Sequence, residues 1–512
     1  MRNCFILSVL LALTVFFPAA ATQQVDDSYM QEIGLIHMDS EISGGENSLD
    51  MLAAAAKNAG AEVAIVTDHD TQRVTYGIWP LRNIIKASHT RASVIQYGVR
   101  RYMSEVNRVN RQTPDFTFIP GIEAVPYYRW ESSPVTSELV IKNLHRHVLV
   151  FGMDKPEQIE HLPSIEAGYP SVFTPFSLLQ ILWVIPLILA VLLFKMPGSH
   201  EYYESKFLLR LFYRPRNIMA ILLGAVSIIF LINGFPYSEQ VVNQYDEDAD
   251  ALPYQLLIDY VNRQGGFTFW AHPEAKNYQS IITEKGSIIT SLLVRSILKG
   301  GVDVETDPYF YLLNDTQDYT GFSIFFEGKH IIGKPEGLWD DILMQFVAGK
   351  RRKPVWAIAE IDMEEGTDPK TASESQTVFL VKEKTKDDYL EAIRTGRVYC
   401  YCDHFTKWLT IRDYSVIAGD TRAISGEILP YTDDARLIFD VEMRGIPRPL
   451  EAVVVKDGRI FARKEFSGSE QMVFSLPAPV ENMGYVRIVV YFGDGMRVAT
   501  NPIFFTKKSG AL

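Results

Sequence analysis

The stretch Val63-Ala-Ile-Val-Thr-Asp-His-Asp70 decides how this chain is read. An apolar run of strand length, rich in β-branched residues, breaks off into acid, imidazole and acid. Buried strands of this kind belong to α/β sheets, whose following loops carry the chemistry. An isolated Asp-His pair caps turns as readily as it binds a metal, so the neighbouring segments matter. IGLIHMDS places His37 and Asp39 after a short strand. SLDMLAAAAKNAG, from Ser48 to Gly60, opens on an N-cap Ser and closes on Gly, which predicts a helix. DFTFIPGIEA brings Glu123, NLHRHVLVFG brings His145 and His147, and GGFTFWAHPE brings His272. GVDVETDP offers Asp303 and Glu305, read as the end of a structural strand, and KPVWAIAEIDMEEG ends in Asp362 and Glu364. Strand alternating with helix predicts a mainly parallel sheet or barrel with its site at the strand C-termini. Imidazole and carboxylate are the ligands that Zn, Mn and Fe accept, and multinuclear centres collect them from separated segments. Asp68, beside His69, is expected to be the acid that holds that imidazole.

The bulk numbers exclude some functions. A chain of 512 residues is too long for one ordinary core. A net charge of -12 argues against nucleic acid as the main partner, because phosphate binding needs clustered Lys and Arg. There are three Cys. Cys4 falls in a leader, and the Cys400/Cys402 pair in YCYCD faces one side of a strand, where neighbours bridge poorly. Both are read as ordinary thiols. No G-x-S-x-G elbow is present.

Residues 1–21 read as a secretory signal peptide with Ala19-Ala20-Ala21 at its cleavage point, an uncleaved anchor being the alternative. Two uncharged apolar stretches lie in the middle, Phe176 to Phe194 and Ile218 to Phe235. Each is long enough to cross a bilayer. The segment 195–217 between them carries Lys195, Lys206, Arg210, Arg214 and Arg216, whereas the outer flanks are acidic, with Glu157, Glu160 and Glu166 before and Glu239, Asp246, Glu247, Asp248 and Asp250 after. The positive-inside rule then predicts a hairpin with a cytoplasmic loop and both flanks on the extracytoplasmic, periplasmic side. An even number of crossings keeps the two halves of the chain in one compartment.

Taken in order, the metal-type segments resemble the PHP (polymerase and histidinol phosphatase) family, which has H-x-H after its first strand, T-D-H after its second, then G-[IV]-E, a His near a strand, A-H-P and S-D-x-H. The matching stretches are HMDS, TDHD, GIEA, HVLVFG, WAHPE and EIDMEEG. TVFLVKEKTKDDYLEAIRTGRVYC, from Thr377 to Cys400, is similar to the helix and closing strand that follow the last ligand. The resemblance implies an α/β fold, a distorted (β/α)7 barrel split here into 28–160 and 245–404 by the hairpin at 176–235. It implies two or three divalent metal ions at the barrel mouth and hydrolysis of a small-molecule phosphoester by a metal-bound hydroxide. Carried over position by position, it makes His37, Asp39, His69, Glu123, His147, His272, Asp362 and Glu364 metal ligands, with Glu123 bridging, and puts Asp68, Glu123 and Glu364 in the catalytic set. Three departures stand out: Asp39 replaces the second His of H-x-H, Glu364 replaces the last His of S-D-x-H, and Ser43-Gly44-Gly45 stands where S-D-G is usual. Oxygen in place of nitrogen favours Mn or Mg over Zn or Fe. A degenerate domain serving as a metal- or ligand-binding sensor is the alternative, and an amide or carbamate ester hydrolase a second one.

GKRRKP, Gly349 to Pro354, precedes the strand that ends in Asp362 and reads as a solvated turn at the far end of the barrel. From 405 to 512 the pattern turns to alternating β, with Asp-Gly turns in VVVKDGRIFARKEF and YVRIVVYFGDGMRV. This predicts a β-sandwich-like domain without a catalytic cluster, whose protein partner is unknown.

Overall fold

The computed structural model describes residues 29–132, 139–196, 215–246, 249–281, 302–362, 374–446 and 448–507. The expected signal peptide, most of the loop between the apolar helices, Glu364 and the acidic pair at 247–248 lie outside them.

The chain is mixed α/β with extensive sheets. The opening stretch is strand β2 (Val63–Val66), buried at every position. It lies parallel to β1 (Met30–Met38) on one side and to β3 (Thr117–Pro120) on the other. Between β1 and β2 runs α1 (Leu49–Asn58), where the Ser48 side chain accepts the Met51 N–H and buried Leu49, Leu52, Ala53 and Ala56 face the sheet. After β3 the chain passes through Gly121 into β4 (Ile122–Ala124). A Cβ at Gly121 would fall 2.9 Å from both Phe151 and Thr67, so only glycine lets these layers close.

The succession continues through β5 (Val148–Phe151), β6 (Phe267–Trp270), β7 (Gly321–Phe325) and β8 (Trp356–Ala359), each hydrogen-bonded to the next. Just past β8, the Ile361 N–H reaches the Ile36 carbonyl of β1 at 3.0 Å, so the end of the row meets its beginning. The pairs β6–β7 and β7–β8 are parallel, as are β1–β2 and β2–β3. Strand β5 is the exception to the expected parallel order, being antiparallel to both neighbours. That reversal has a consequence for the site. Val148 at the start of β5 sits opposite Ala124 and Trp270, so His147 before β5 stands at the same rim as residues that follow the other strands.

Asp303 and Glu305 lie in strand Val302–Thr306 of a separate four-stranded sheet, where Glu305 pairs with Lys142. In the basic run, Arg351 is buried and donates to the Leu313 carbonyl, while Arg352 pairs with Asp318. On its other edge β1 is antiparallel to β9 (Gln376–Val381), which pairs with β10 (Val398–Tyr401). Strand β10 pairs in turn with Gly495–Thr500, so one sheet runs across the expected boundary near residue 404. Its far part shares a buried core with a four-stranded sheet, Leu409, Ile411, Val416, Leu437, Phe439 and Val441 meeting Tyr399, Val486, Ile488 and Val498.

Two helices, Pro175–Lys195 and Arg216–Gly234, are long and apolar enough to cross a membrane. Only 11% and 17% of their apolar windows are buried, unlike the core helices of a soluble domain. They pack on each other through Ala190, Ala220, Gly224 and Ser227, and Trp183 stacks on Phe230 with centroids 4.3 Å apart. Such small residues let apolar helices approach without a hydrophobic driving force. Ser171–Val172 pairs with Glu239–Gln240, so the chain leaves the sheets and returns at one place.

Candidate metal centre

Seven of the eight expected ligands come together at this rim. Glu123 is at the hub. Its Oε1 lies 2.5 Å from His147 Nδ1, 3.1 Å from His37 Nε2 and 3.4 Å from His272 Nε2, and its Oε2 lies 3.2 Å from His69 Nδ1. Asp362 Oδ1 is 3.6 Å from His37 Nε2. Two donor triads result, His69–Glu123–His147 and His37–Asp39–Glu123, each with ligand atoms within 4.8 Å of one another. They share Glu123.

The backbone is bent to make this possible. His37, His272 and Asp362 hold φ of 72°, 26° and 45°, in the left-handed region that ordinary residues avoid. Each stands at or just beyond a strand end, where the turn re-aims the side chain inward. Such strain persists where the surroundings over-determine it and is common at functional sites.

Partners outside the cluster fix the rings. Glu360 Oε2 is 2.9 Å from His37 Nδ1, and its Oε1 accepts the His272 N–H at 2.7 Å. The Tyr309 hydroxyl lies 3.1 Å from His272 Nδ1 and also donates to the Ala271 carbonyl. With one ring nitrogen held in this way, the other is presented inward, the arrangement metal-binding imidazoles use. Asp68 departs from expectation. Its carboxylate accepts from the Ser40 N–H, the Ser40 hydroxyl and, at 2.6 Å, the Ser43 hydroxyl, rather than holding His69. Adjacent residues of an extended chain point to opposite sides, so Asp68 secures the loop after β1 while His69 faces the site. Asp70, buried, accepts from the Thr71 and Val125 N–H groups. Gly45 in the same loop has room for no side chain, since a Cβ there would sit 2.4 Å from the Asp39 carbonyl.

The electrostatics are those of a surplus. Buried Asp39, Glu123 and Glu360 and half-buried Asp362 surround four imidazoles. Burial, which would lower it, is overcome at His37 by Glu123, Asp362 and Glu360, and its pKa stands well above the usual value. His272 is likewise pushed down by burial but raised to about 9 by the same carboxylates, Asp362 foremost. Burial takes His69 the other way, to about 4, despite Glu123. Burial and Glu123 raise Asp39, and burial raises Asp362 against the pull of His272 and His37. Glu123 resists burial because His147, His69 and His37 hold it low.

Whether a metal fits is answered by atoms left over. His37 Nε2, Asp39 Oδ1 and His69 Nδ1 are buried and make no hydrogen bond. The two nitrogens lie within 3.1 and 3.2 Å of Glu123 without hydrogen-bond geometry. Buried polar atoms are rarely left so, and all three belong to the triads. The residues fit a divalent metal.

No family model and no curated protein matches the chain. Among solved structures it is similar to a two-domain protein from Bacteroides vulgatus described as containing a predicted PHP-like metal-dependent phosphoesterase, at 12% identity over 94% of this chain and 99% of that one, with a TM-score of 0.34. An amidohydrolase from Chromobacterium violaceum with bound sulfate and no metal is similar at 13% identity, over 65% and 88% of the two chains, with a TM-score of 0.22. Overlap this loose leaves the chemistry to the chain's own residues.

A cavity of about 150 Å³ opens beside the cluster, lined by Asp39, His69, Glu123, His147 and Asp362 together with Gln72, Val74, His89, Arg91 and His145. His145 is a wall residue, its ring 5.6 Å from that of His147, and burial takes its pKa down to about 3. Sequence reasoning missed Glu360, Tyr309 and the cavity residues on the 73–91 segment. Cys400 and Cys402 are free and buried, as read.

Proposed function

We propose that this chain is a membrane-tethered, metal-dependent hydrolase of PHP type, acting on a phosphoester on the extracytoplasmic face. The reading rests on one observation above all: two donor triads that share the Glu123 carboxylate. The eight-strand succession whose end returns to β1 supports the distorted barrel, taking β3 and β4 as one interrupted strand. The two core-sharing sheets after residue 405 support the β-sandwich-like domain. The exposed, uncharged helix pair supports two bilayer crossings.

Bound divalent ions would lower the pKa of water, clamp phosphoryl oxygens and stabilise the leaving alkoxide. Glu123, the carboxylate common to both triads, would be the ligand the two ions share. His37, Asp39 and Asp362 would hold one ion and His69 and His147 the other, with His272 beside Glu123 and His147 as a further donor. Glu360 and Tyr309 keep His37 and His272 presenting Nε2 inward. Arg91, on the cavity wall, brings positive charge to the side from which a phosphoryl group would enter. The acidic chain repels anions at long range, and bound cations would reverse the local sign.

Purified full chain supplied with Mn is expected to hold about two ions and to hydrolyse an aryl phosphate, both losses appearing together in Glu123→Ala. Fewer than one firmly held ion per chain, or full turnover in that variant, would contradict the reading.

A further inference from the structure

Residues 73–90 form a hairpin, Arg73–Gly77 against Lys86–Thr90, that joins two places the proposed function keeps apart. Its stem is a wall of the metal cavity: Val74 and His89 line it, with Gln72 and Arg91 at the hairpin's foot. Its tip is fastened to the end of the second apolar helix. Asn83 donates from its N–H to Asn233 Oδ1 at 3.1 Å and from its Nδ2 to the Asn233 carbonyl at 2.7 Å, and Asn233 Nδ2 donates to the Pro80 carbonyl at 3.1 Å. The Arg82 guanidinium lies 3.8 Å over the Tyr245 ring. The stem is held as firmly, by Tyr128 OH on the Thr75 N–H at 2.7 Å and by Trp130 Nε1 on the Thr75 carbonyl at 2.8 Å. This arm is fixed at both ends.

The tip is apolar and uncovered. Trp79 is 76% exposed and Ile84 43%, and at the mouths of the two helices Phe235 is 70% and Phe173 62% exposed. An aromatic group at the end of an apolar helix pair matches the belt that marks a bilayer interface. Charge agrees with this placement. In a chain of net charge -12, residues 71–91 carry Arg73, Arg82, Lys86 and Arg91 and no carboxylate, although Glu166 pairs with Arg73 and Asp246 lies near Arg82. Basic groups beside a membrane favour anionic headgroups. Continuity with the helices, the aromatic tip and the local charge all select lipid as the occupant rather than a protein.

We propose that the 73–90 hairpin is a membrane-contacting arm whose tip lies in the lipid interface and whose stem walls the metal cavity, so that the substrate is a phosphoester borne on a membrane lipid. This rests on the hydrolase reading above. From Val74 to Pro80, a rise of about 3.3 Å per residue puts the cavity wall at most about 20 Å from the tip. The arm therefore selects lipids whose phosphoester stands out from the headgroup plane. In the reaction, the oxygen of water forms the new P–O bond. The ester P–O bond breaks with its electron pair on the leaving oxygen, which takes up a proton and leaves the alcohol on the lipid.

Two measurements on the full chain in phosphatidylcholine nanodiscs or vesicles test this. A bimane label at Trp79→Cys, with Cys4→Ser, is expected to be quenched at least about twofold by lipid-borne nitroxide and hardly by aqueous iodide; quenching by iodide alone overturns the arm. The second compares a phosphatidylinositol phosphate in vesicles with its deacylated, soluble headgroup. The Trp79→Ser/Ile84→Ser variant is expected to lose about tenfold in rate on the vesicle probe and nothing on the soluble one. Equal effects on both, or on neither, overturn the inference. A wild type that cleaves an aryl phosphate but not the vesicle probe overturns the lipid substrate alone. One that cleaves no phosphoester sinks the hydrolase reading and the lipid substrate with it, while the quenching result still decides the arm.

Discussion

Two buried clusters of charge lie in this molecule, and they are built on opposite principles. One is the ion pair of Asp340, in helix Leu338–Val347, with Arg487, in strand Met483–Phe492, their side chains 1% and 0% exposed. Asp340 Oδ1 accepts from Arg487 Nε and Tyr485 OH, both at 2.7 Å, and Oδ2 accepts from Arg487 Nη2 at 2.6 Å and the Glu336 N–H at 2.8 Å. Arg487 also lies 4.5 Å over the Trp339 ring. One negative charge meets one positive charge, and both carboxylate oxygens are matched, Arg487 Nη1 being the pair's one buried atom without a hydrogen bond. The other cluster gathers Asp39, Glu123, Glu360 and Asp362 with no Lys or Arg paired to them among the described contacts, and leaves three ring or carboxylate atoms without hydrogen bonds. A closed pair fastens the C-terminal sheets to the site-bearing part. An open cluster carries a surplus of buried carboxylates, which divalent cations would offset. Evolved stability belongs to the first and stored binding capacity to the second.

The largest effect separating the clusters should come from Glu123→Ala. If the proposed function holds, losing the shared ligand is expected to abolish most aryl-phosphate hydrolysis, with bound metal falling below one ion per chain by elemental analysis and the urea midpoint of metal-free protein hardly lower. Asp340→Ala should do the reverse. An unpaired Arg487 in the core costs about 3–5 kcal/mol, read as a lowered urea midpoint, while metal content in the folded fraction stays at the wild-type level. If Glu123→Ala unfolded the protein as strongly as Asp340→Ala, the distinction between open and closed clusters would fail.

Smaller effects sharpen the comparison. Glu360→Gln keeps the shape but weakens the hold on His37, and about 10- to 100-fold in metal affinity is expected to go with it; an unchanged titration would reduce Glu360 to a packing residue. Metal uptake should also move protons. His272, held at about 9, carries a proton near neutral pH in the metal-free protein, and a metal must displace it. Affinity is therefore expected to fall as pH falls. Calorimetry in buffers of different ionisation enthalpy should register at least about one proton released per chain at pH 7, and no release would contradict the charge surplus.

Much of the cluster could be read from the chain because its His and acidic residues follow short buried strands. TDHD, HMDS and GIEA each end an apolar run, and that pattern is local. What was hidden depends on contacts between distant segments. Glu360 looks like any acid one residue beyond a strand, and only the meeting of β8 with β1, 323 residues apart, sets it against His37. Tyr309 sits in a loop whose sequence carries no sign of its place beneath His272. The reversal of β5 left no trace either, because a buried VLVF run reads the same in both directions. Asp68 serves the loop at 40–43 and not His69 for a local reason: neighbours at a strand end alternate in direction, so adjacency in sequence is not contact. The 73–90 hairpin was overlooked because its residues look ordinary until the stem is seen against the cavity and the tip against Asn233.

The central claim, that Glu123 bridges two cations held by distant segments of the chain, is tested most directly by anomalous diffraction from crystals of the full chain grown with Mn. Two peaks about 3.5–4 Å apart, one beside His69 and His147 and the other beside His37 and Asp39, are the predicted result. A map with no peak near Glu123, or a single ion bound elsewhere on the molecule, would contradict it.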